Sequence, residues 1–121
     1  MLLPGPSSSY AVVGGRHVTD GSNPGFIDIG YSSTMADLPG FEVVIRRSSG
    51  TCSTRSEFAT AVTPRGRTYC YPMSEPPCLV LLYFFDASLQ YTLLSTFDGA
   101  CDASKQSVKV KDLSIVVGGM S

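Results

Sequence analysis

The sequence predicts an all-β fold: a single antiparallel β-sandwich of about nine short strands, with a jelly-roll as one candidate topology and little or no helix. Two observations lead to this prediction. The helix formers Lys and Glu occur only three times each in 121 residues, which disfavours a helical bundle. Short apolar runs alternate with clusters of Gly, Pro, Asp and Ser, a spacing typical of sandwiches and barrels. The length corresponds to one domain.

Nine segments carry the strand pattern, and turn-forming residues separate them. They are 10–13, 16–19, 26–31, 41–46, 57–62, 67–71, 78–85, 89–97 and 107–117. Gly14 and Gly15 suit a two-residue hairpin turn between the first two segments. Pro64 and Gly66 suit a tight turn between the fifth and sixth, and the seventh and eighth form another hairpin. In the last segment the apolar residues change phase near Asp112, which predicts a β-bulge.

The chain divides into a flexible Pro- and Ser-rich arm at 1–9, the sandwich domain at 10–117 and a flexible tail at 118–121. The first residues lack the basic start and the long apolar run of a secretory signal. The longest apolar run, 78–85, has eight residues, far short of the ~20 that span a bilayer. We therefore expect no membrane span.

The four cysteines, Cys52, Cys70, Cys78 and Cys101, are separated by 17, 7 and 22 residues. Zinc sites usually supply their ligands as pairs about two to four residues apart, so we expect no metal site. The choice lies between disulfides and buried free thiols, and all three pairings of four cysteines are open. The even count in a small domain favours disulfides, whereas the lack of a secretory signal favours free thiols, so both alternatives stay open.

The segment 78–85 is apolar on both of its alternating faces, whereas a sandwich strand normally presents one polar face to water. A loop of the same chain, another subunit or an apolar ligand must cover the second face. Because exposed apolar patches mark interfaces, the first hypothesis is a non-enzymatic structural or attachment protein that forms homo-oligomers or larger assemblies. The interface candidates are Val80, Leu82, Phe84 and Leu94. A coat or virion-surface component, a cell-surface protein or an extracellular fragment is favoured over a cytoplasmic protein.

The net charge of -1 combines three segments of different charge. Residues 1–40 and 71–121 each carry -2, whereas 41–70 carries +3. Arginine presents a planar fork suited to phosphate, sulfate or carboxylate, so the second hypothesis is a recognition module for an acidic glycan, another anionic ligand or an acidic protein. Its candidate residues are Arg46, Arg47, Arg65, Arg67, Tyr69 and Tyr71. A nucleic-acid partner is not expected, because this excess of charge is small for a nucleic-acid-binding domain.

Catalytic motifs are sparse. His17 is the single histidine, with Asp20 three residues further on, and any Ser-His-Asp or Cys-His site would have to use it. The chain contains no Gly-x-Ser-x-Gly elbow and no phosphate-binding loop or dinucleotide fingerprint. A small hydrolase based on His17 is therefore the most remote hypothesis, and we expect neither an enzyme nor a cofactor.

Overall fold

The structure, a computed structural model, describes residues 1–5, 9–20, 23–35, 38–48, 50–52, 58–72, 79–96 and 103–121. Seven strands and one helix lie in this part of the chain. They are β1 (Tyr10–Asp20), β2 (Asn23–Met35), β3 (Leu38–Arg47), β4 (Phe58–Val62), β5 (Thr68–Pro72), β6 (Leu79–Asp86), β7 (Leu89–Thr96) and α1 (Ala103–Gly118). The first two predicted strands are a single strand, β1, because Gly14 and Gly15 pair with Gly30 and Ile29 of β2 instead of forming a turn.

The seven strands form one antiparallel sheet in the order β1-β2-β3-β7-β6-β5-β4. Two meanders, β1 to β3 and β4 to β7, meet where β7 pairs with β3, with Arg47 opposite Leu89 and Glu42 opposite Leu94. The chain therefore crosses the sheet between β3 and β4. The prediction of a mostly β, antiparallel fold is confirmed, with seven described strands and not nine. A sandwich or jelly-roll is not confirmed, because the described strands belong to a single sheet.

The segment 107–117, predicted as the last strand, lies within α1, so that part of the prediction is wrong. Leu113 and Val117 are fully buried, and Val110 is partly buried against the same core. These residues recur at spacings of three and four, which is the pattern of one helix face. The change of phase near Asp112, from which a β-bulge was predicted, results from this helical spacing of the apolar residues. The helix α1 has few residues of high helix propensity, and its packing against β3, β6 and β7 stabilises it instead.

The core lies between α1 and one face of the sheet, which we call the helix-side face; the opposite face is the outer face. Leu82 of β6 is opposite Leu93 of β7, and Phe84 is opposite Tyr91. All four side chains are fully buried, and the rings of Phe84 and Tyr91 stack with their centroids 4.8 Å apart. Alternate residues of each strand therefore face the helix.

The chain itself passes over part of the outer face. Tyr83 of β6 packs edge-to-face on Phe85, with ring centroids 5.9 Å apart. The connection from β3 to β4 places Gly50 against the Phe85 ring, and Cys52 is disulfide-bonded to Cys70 of β5. The second apolar face of β6 is thus covered in part by a loop of the same chain, which was the first of the three alternatives.

Cys52 and Cys70 form a disulfide, so of the two alternatives, disulfide or free thiols, the first holds for this pair. Cys78 and Cys101 lie outside the described residues. In the part of the chain that the structure describes, no group of three or more His, Cys, Asp or Glu side chains could hold a metal ion. Within the same residues, no helix combines the length and the apolar character needed to cross a bilayer.

The two ends of the chain pair with each other. The backbone N–H of Leu3 donates to the Ser121 oxygen at 3.1 Å, and the N–H of Ser121 donates to the Leu3 oxygen at 3.0 Å. The Tyr10 hydroxyl donates to the Gly5 oxygen at 3.0 Å, and burial raises the pKa of Tyr10, which keeps the phenol a donor. The predicted flexible arm and tail therefore have defined backbone partners at residues 3, 5, 119 and 121.

Candidate functional site

Arg67 anchors the end of α1. Its half-buried side chain donates from Nη1 to the backbone oxygens of Val117 at 2.9 Å and Met120 at 2.8 Å. Its guanidinium carbon lies 5.0 Å from the centroid of the Phe84 ring, within cation–π range. The last carbonyls of a helix have no intrahelical donor, and positive charge is favourable at this end of the helix dipole. A ligand would have to break these contacts to use Arg67, so its role here is structural.

Hydrogen bonds also fix the turn that precedes Arg67. The Thr63 N–H donates to the Arg67 oxygen at 2.9 Å, and the Gly66 N–H donates to the Thr63 oxygen at 2.8 Å. The Arg67 N–H donates to Thr63 Oγ1 at 3.0 Å. Gly66 has a φ of 92°, a conformation that glycine adopts without steric cost. This turn places Arg65, which is exposed, at the tip of the predicted β4–β5 hairpin.

A groove of about 450 Å³ lies between this hairpin and α1; we call it the α1–β4 groove. The hairpin contributes Val62, Thr63, Pro64, Arg65 and Tyr69, and the other wall contributes Lys111, Ser114, Ile115, Gly118 and Gly119. The helix residues of this wall recur every three or four positions, so they share one side of α1.

The groove combines exposed aliphatic side chains with positive charge. Val62 is 63% exposed and Ile115 is 60% exposed, and both residues line the groove. Arg65 and Lys111 are exposed and come from opposite walls. Among the described residues that line the groove, none is acidic. The groove can therefore accept an apolar group and an anionic group together.

The groove also adjoins an edge of the sheet that the described strands form. β4 pairs with β5 on one side, and it is the last strand of the described sheet. Backbone N–H and C=O groups along such an edge can pair with an added chain. Val62 belongs both to this edge strand and to the groove lining, so the two features are contiguous.

The predicted tyrosines have different positions. Tyr69 and Tyr71 are half-buried, pack against the core, and have ring centroids 6.2 Å apart. Tyr69 lines the α1–β4 groove, whereas Tyr71 is not among its lining residues. Of the candidate residues near this hairpin, Arg65 and Tyr69 line the groove, while Arg67 supports the fold.

Arg46 and Arg47 lie at the end of β3, and β7 and β6 separate this strand from β5. The guanidinium carbon of Arg46 lies 5.6 Å from the Phe26 ring centroid. Both arginines border a second cavity of about 390 Å³ together with His17; the side chain of Asp20 lies outside the described part of the chain. The predicted arginine and tyrosine set is thus divided between two places.

Three of the four predicted interface residues lie inside the single chain. Val80, Leu82 and Phe84 are at most 1% exposed, on the helix-side face of the strand against which α1 packs. Leu94 lies on the outer face and is half-buried. The first three offer no surface to a partner in this structure, and Leu94 retains part of its exposure.

Lys111 and Ile115 complete the groove but were not predicted. The apolar residues around Leu113 recur at helical spacing, which would have placed Lys111 and Ile115 on the exposed side of a helix. They were missed because this segment was predicted to be a strand. Comparison of the chain with known protein families, with curated protein sequences and with solved structures found no match.

Proposed function

We propose that the protein is a non-enzymatic recognition module that binds an extended, acidic peptide segment in the α1–β4 groove. The proposal rests on one observation: exposed aliphatic side chains, two cations and a free strand edge coincide at a single groove. Clefts that are mainly apolar with a few placed polar groups are the usual form of a ligand site.

The aliphatic residues favour a ligand with one bulky apolar side chain. Ile115 and Val62 remain largely exposed in the free protein, and full burial of a side chain of this size contributes about 1.5–3 kcal/mol. A leucine-like or phenylalanine-like side chain placed in the groove would cover Ile115. An acidic glycan presents mostly hydroxyl groups and would gain little from this surface, so a peptide is the better fit.

The charged residues favour acidic groups beside that apolar side chain. Arg65 and Lys111 are exposed on opposite walls of the groove. Charge complementarity at such positions sets association rate and orientation more than affinity. We therefore expect the affinity to depend mainly on Ile115, and the salt dependence of binding to arise mainly from Arg65 and Lys111.

The dimensions of the groove suit a short extended segment. The α1 wall runs from Lys111 to Gly118, about 10.5 Å at the rise of an α-helix. About three residues of an extended chain cover this length. Such a segment can also form backbone hydrogen bonds with the free edge of β4, which is the general mode of strand addition.

Selection from a library of random peptides displayed on phage tests this function. We expect the selected peptides to combine one bulky apolar residue with nearby Asp or Glu. Ile115→Asp should weaken the binding of synthetic copies by about tenfold or more, because it places a charge against their apolar side chain. Fluorescence anisotropy with labelled peptides measures the affinity.

Val12→Asp is the matched control. Val12 is 61% exposed, nearly the same as Ile115, but it lies on β1 at the opposite edge of the sheet. This variant should keep the affinity within about twofold, as expected of a surface change away from the site. Failure to obtain related sequences, or peptides that bind Ile115→Asp as tightly as the wild type, would overturn the proposal.

Homo-oligomer assembly is a second candidate function, through β1. Val12 and Val13 are 61% and 71% exposed on this edge strand, and exposed apolar edges favour pairing between chains. The register shift between Val12 and Gly14 interrupts the edge, which makes this candidate the weaker one. A dimeric mass in light scattering that Val13→Asp reduces to that of a monomer would favour assembly.

A further inference from the structure

A second cavity lies where β3 ends. Its volume is about 390 Å³, and we call it the β3-end cup. Its basic side chains are His17, Arg46 and Arg47, and its aliphatic ones include Ile27, Ile45 and Leu89. It shares no lining residue with the α1–β4 groove.

Strand pairing brings these side chains together. His17 of β1 is opposite Ile27 of β2, and Ile27 is opposite Ile45 of β3. Arg47, two residues after Ile45, is opposite Leu89 of β7. Cross-strand partners project from the same face of a sheet. Ile45 is buried in the core, and the half-buried Ile27 and Leu89 form the apolar floor between two basic residues, His17 and Arg47.

The positive charge of the cup is not neutralised by the described residues. Arg46 and Arg47 are exposed, and neither forms an ion pair within that part of the chain. The Arg46 guanidinium stacks over the ring of its cross-strand partner Phe26, on the face opposite to Arg47. Asp86, opposite Leu89 at the end of β6, is the acidic residue closest in strand register, and it is also exposed. The cup thus offers basic donors to an anion.

We propose that the β3-end cup binds an amphiphile that has a phosphate head and an apolar chain. A phosphate monoester carries three acceptor oxygens and close to two negative charges, which suits the Arg47 fork and the His17 imidazole together better than the two oxygens of a carboxylate. A bare anion would leave the exposed parts of the half-buried Ile27 and Leu89 uncovered, so the ligand requires an apolar chain. The proposal is independent of the peptide groove.

Calorimetric titration of the full chain with n-hexyl phosphate and with inorganic phosphate tests the cup. We expect n-hexyl phosphate to bind, and inorganic phosphate to bind at least about tenfold more weakly, because it cannot cover the floor. Arg47→Ala should weaken the binding of n-hexyl phosphate by about tenfold or more, since the variant lacks a charge-assisted hydrogen-bond donor. Arg65→Ala, which removes an exposed arginine from the other site, should leave this affinity unchanged.

Vesicles of phosphatidylcholine with and without phosphatidic acid separate a lipid headgroup from a soluble ligand. If the protein binds n-hexyl phosphate and also binds the phosphatidic acid vesicles through Arg47, the ligand is a lipid headgroup. If it binds n-hexyl phosphate and not the vesicles, the ligand is a soluble phosphomonoester. Both results support the cup. Lack of n-hexyl phosphate binding, equal binding of inorganic phosphate, or binding that Arg47→Ala leaves unchanged would overturn it. The melting temperature of Arg47→Ala verifies that the variant is folded.

Discussion

Replacing Leu82 by alanine is expected to lower the free energy of unfolding by about 4 kcal/mol. Leu82 is fully buried, lies opposite Leu93 in the sheet, and belongs to the strand on which α1 packs. The loss combines the transfer free energy of the deleted atoms with the cavity that sheet and helix leave unfilled. Denaturant unfolding followed by circular dichroism measures it.

Leu94→Ala provides the comparison for this prediction. Leu94 lies on the neighbouring strand but on the outer face, where it is half-buried, so its loss should cost no more than about 2 kcal/mol. If Leu82→Ala left stability unchanged and instead lowered the mass measured by light scattering, Leu82 would be an interface residue and its placement in the core of one chain would be wrong.

Arg67→Ala is expected to lower the free energy of unfolding by about 3 kcal/mol. The variant loses two charge-assisted hydrogen bonds to the oxygens of Val117 and Met120 and the contact with the Phe84 ring. The Met120 oxygen then loses the hydrogen bond from Arg67, and the Val117 oxygen keeps the longer one from the Met120 N–H at 3.3 Å. Thermal and denaturant unfolding both report this loss.

Arg65→Ala is the control for Arg67→Ala, since it removes the same charge two residues away. Arg65 is exposed at the tip of the turn, and its loss should change stability by less than about 0.5 kcal/mol. Equal destabilisation by the two variants would contradict the structural role of Arg67 and would indicate a general effect of charge.

The sequence predicted the strands well where alternation and turn residues agreed. The hairpin at Pro64 and Gly66 and the antiparallel pair of β6 and β7 follow from short-range chemistry, because turn residues and flanking strands are neighbours in the chain. The helix was missed because residues 107–117 contain valine and isoleucine, which favour strands, and few strong helix formers. Tertiary packing decided its structure, and such packing is not encoded in local propensity.

The candidate site was predicted in part, for a related reason. Arg65 and Tyr69 were predicted at the hairpin, but Lys111 and Ile115 belong to the helix that was missed. Arg67 has the same chemistry as Arg65, and only the position of the α1 terminus assigns it to the fold. Two apolar faces on β6 were correctly predicted, but which elements cover them depends on contacts between residues far apart in sequence, such as Leu82 and α1.

The central claim is that the α1–β4 groove binds a peptide strand, and an NMR titration of the ¹⁵N-labelled chain with a selected peptide tests it most directly. We predict amide shift changes confined to Phe58–Val62, the turn at Arg65 and the α1 wall from Lys111 to Gly118, together with slower hydrogen exchange along the free edge of β4. Shift changes centred on β1 or on the β3-end cup, with β4 and α1 unaffected, would contradict the claim.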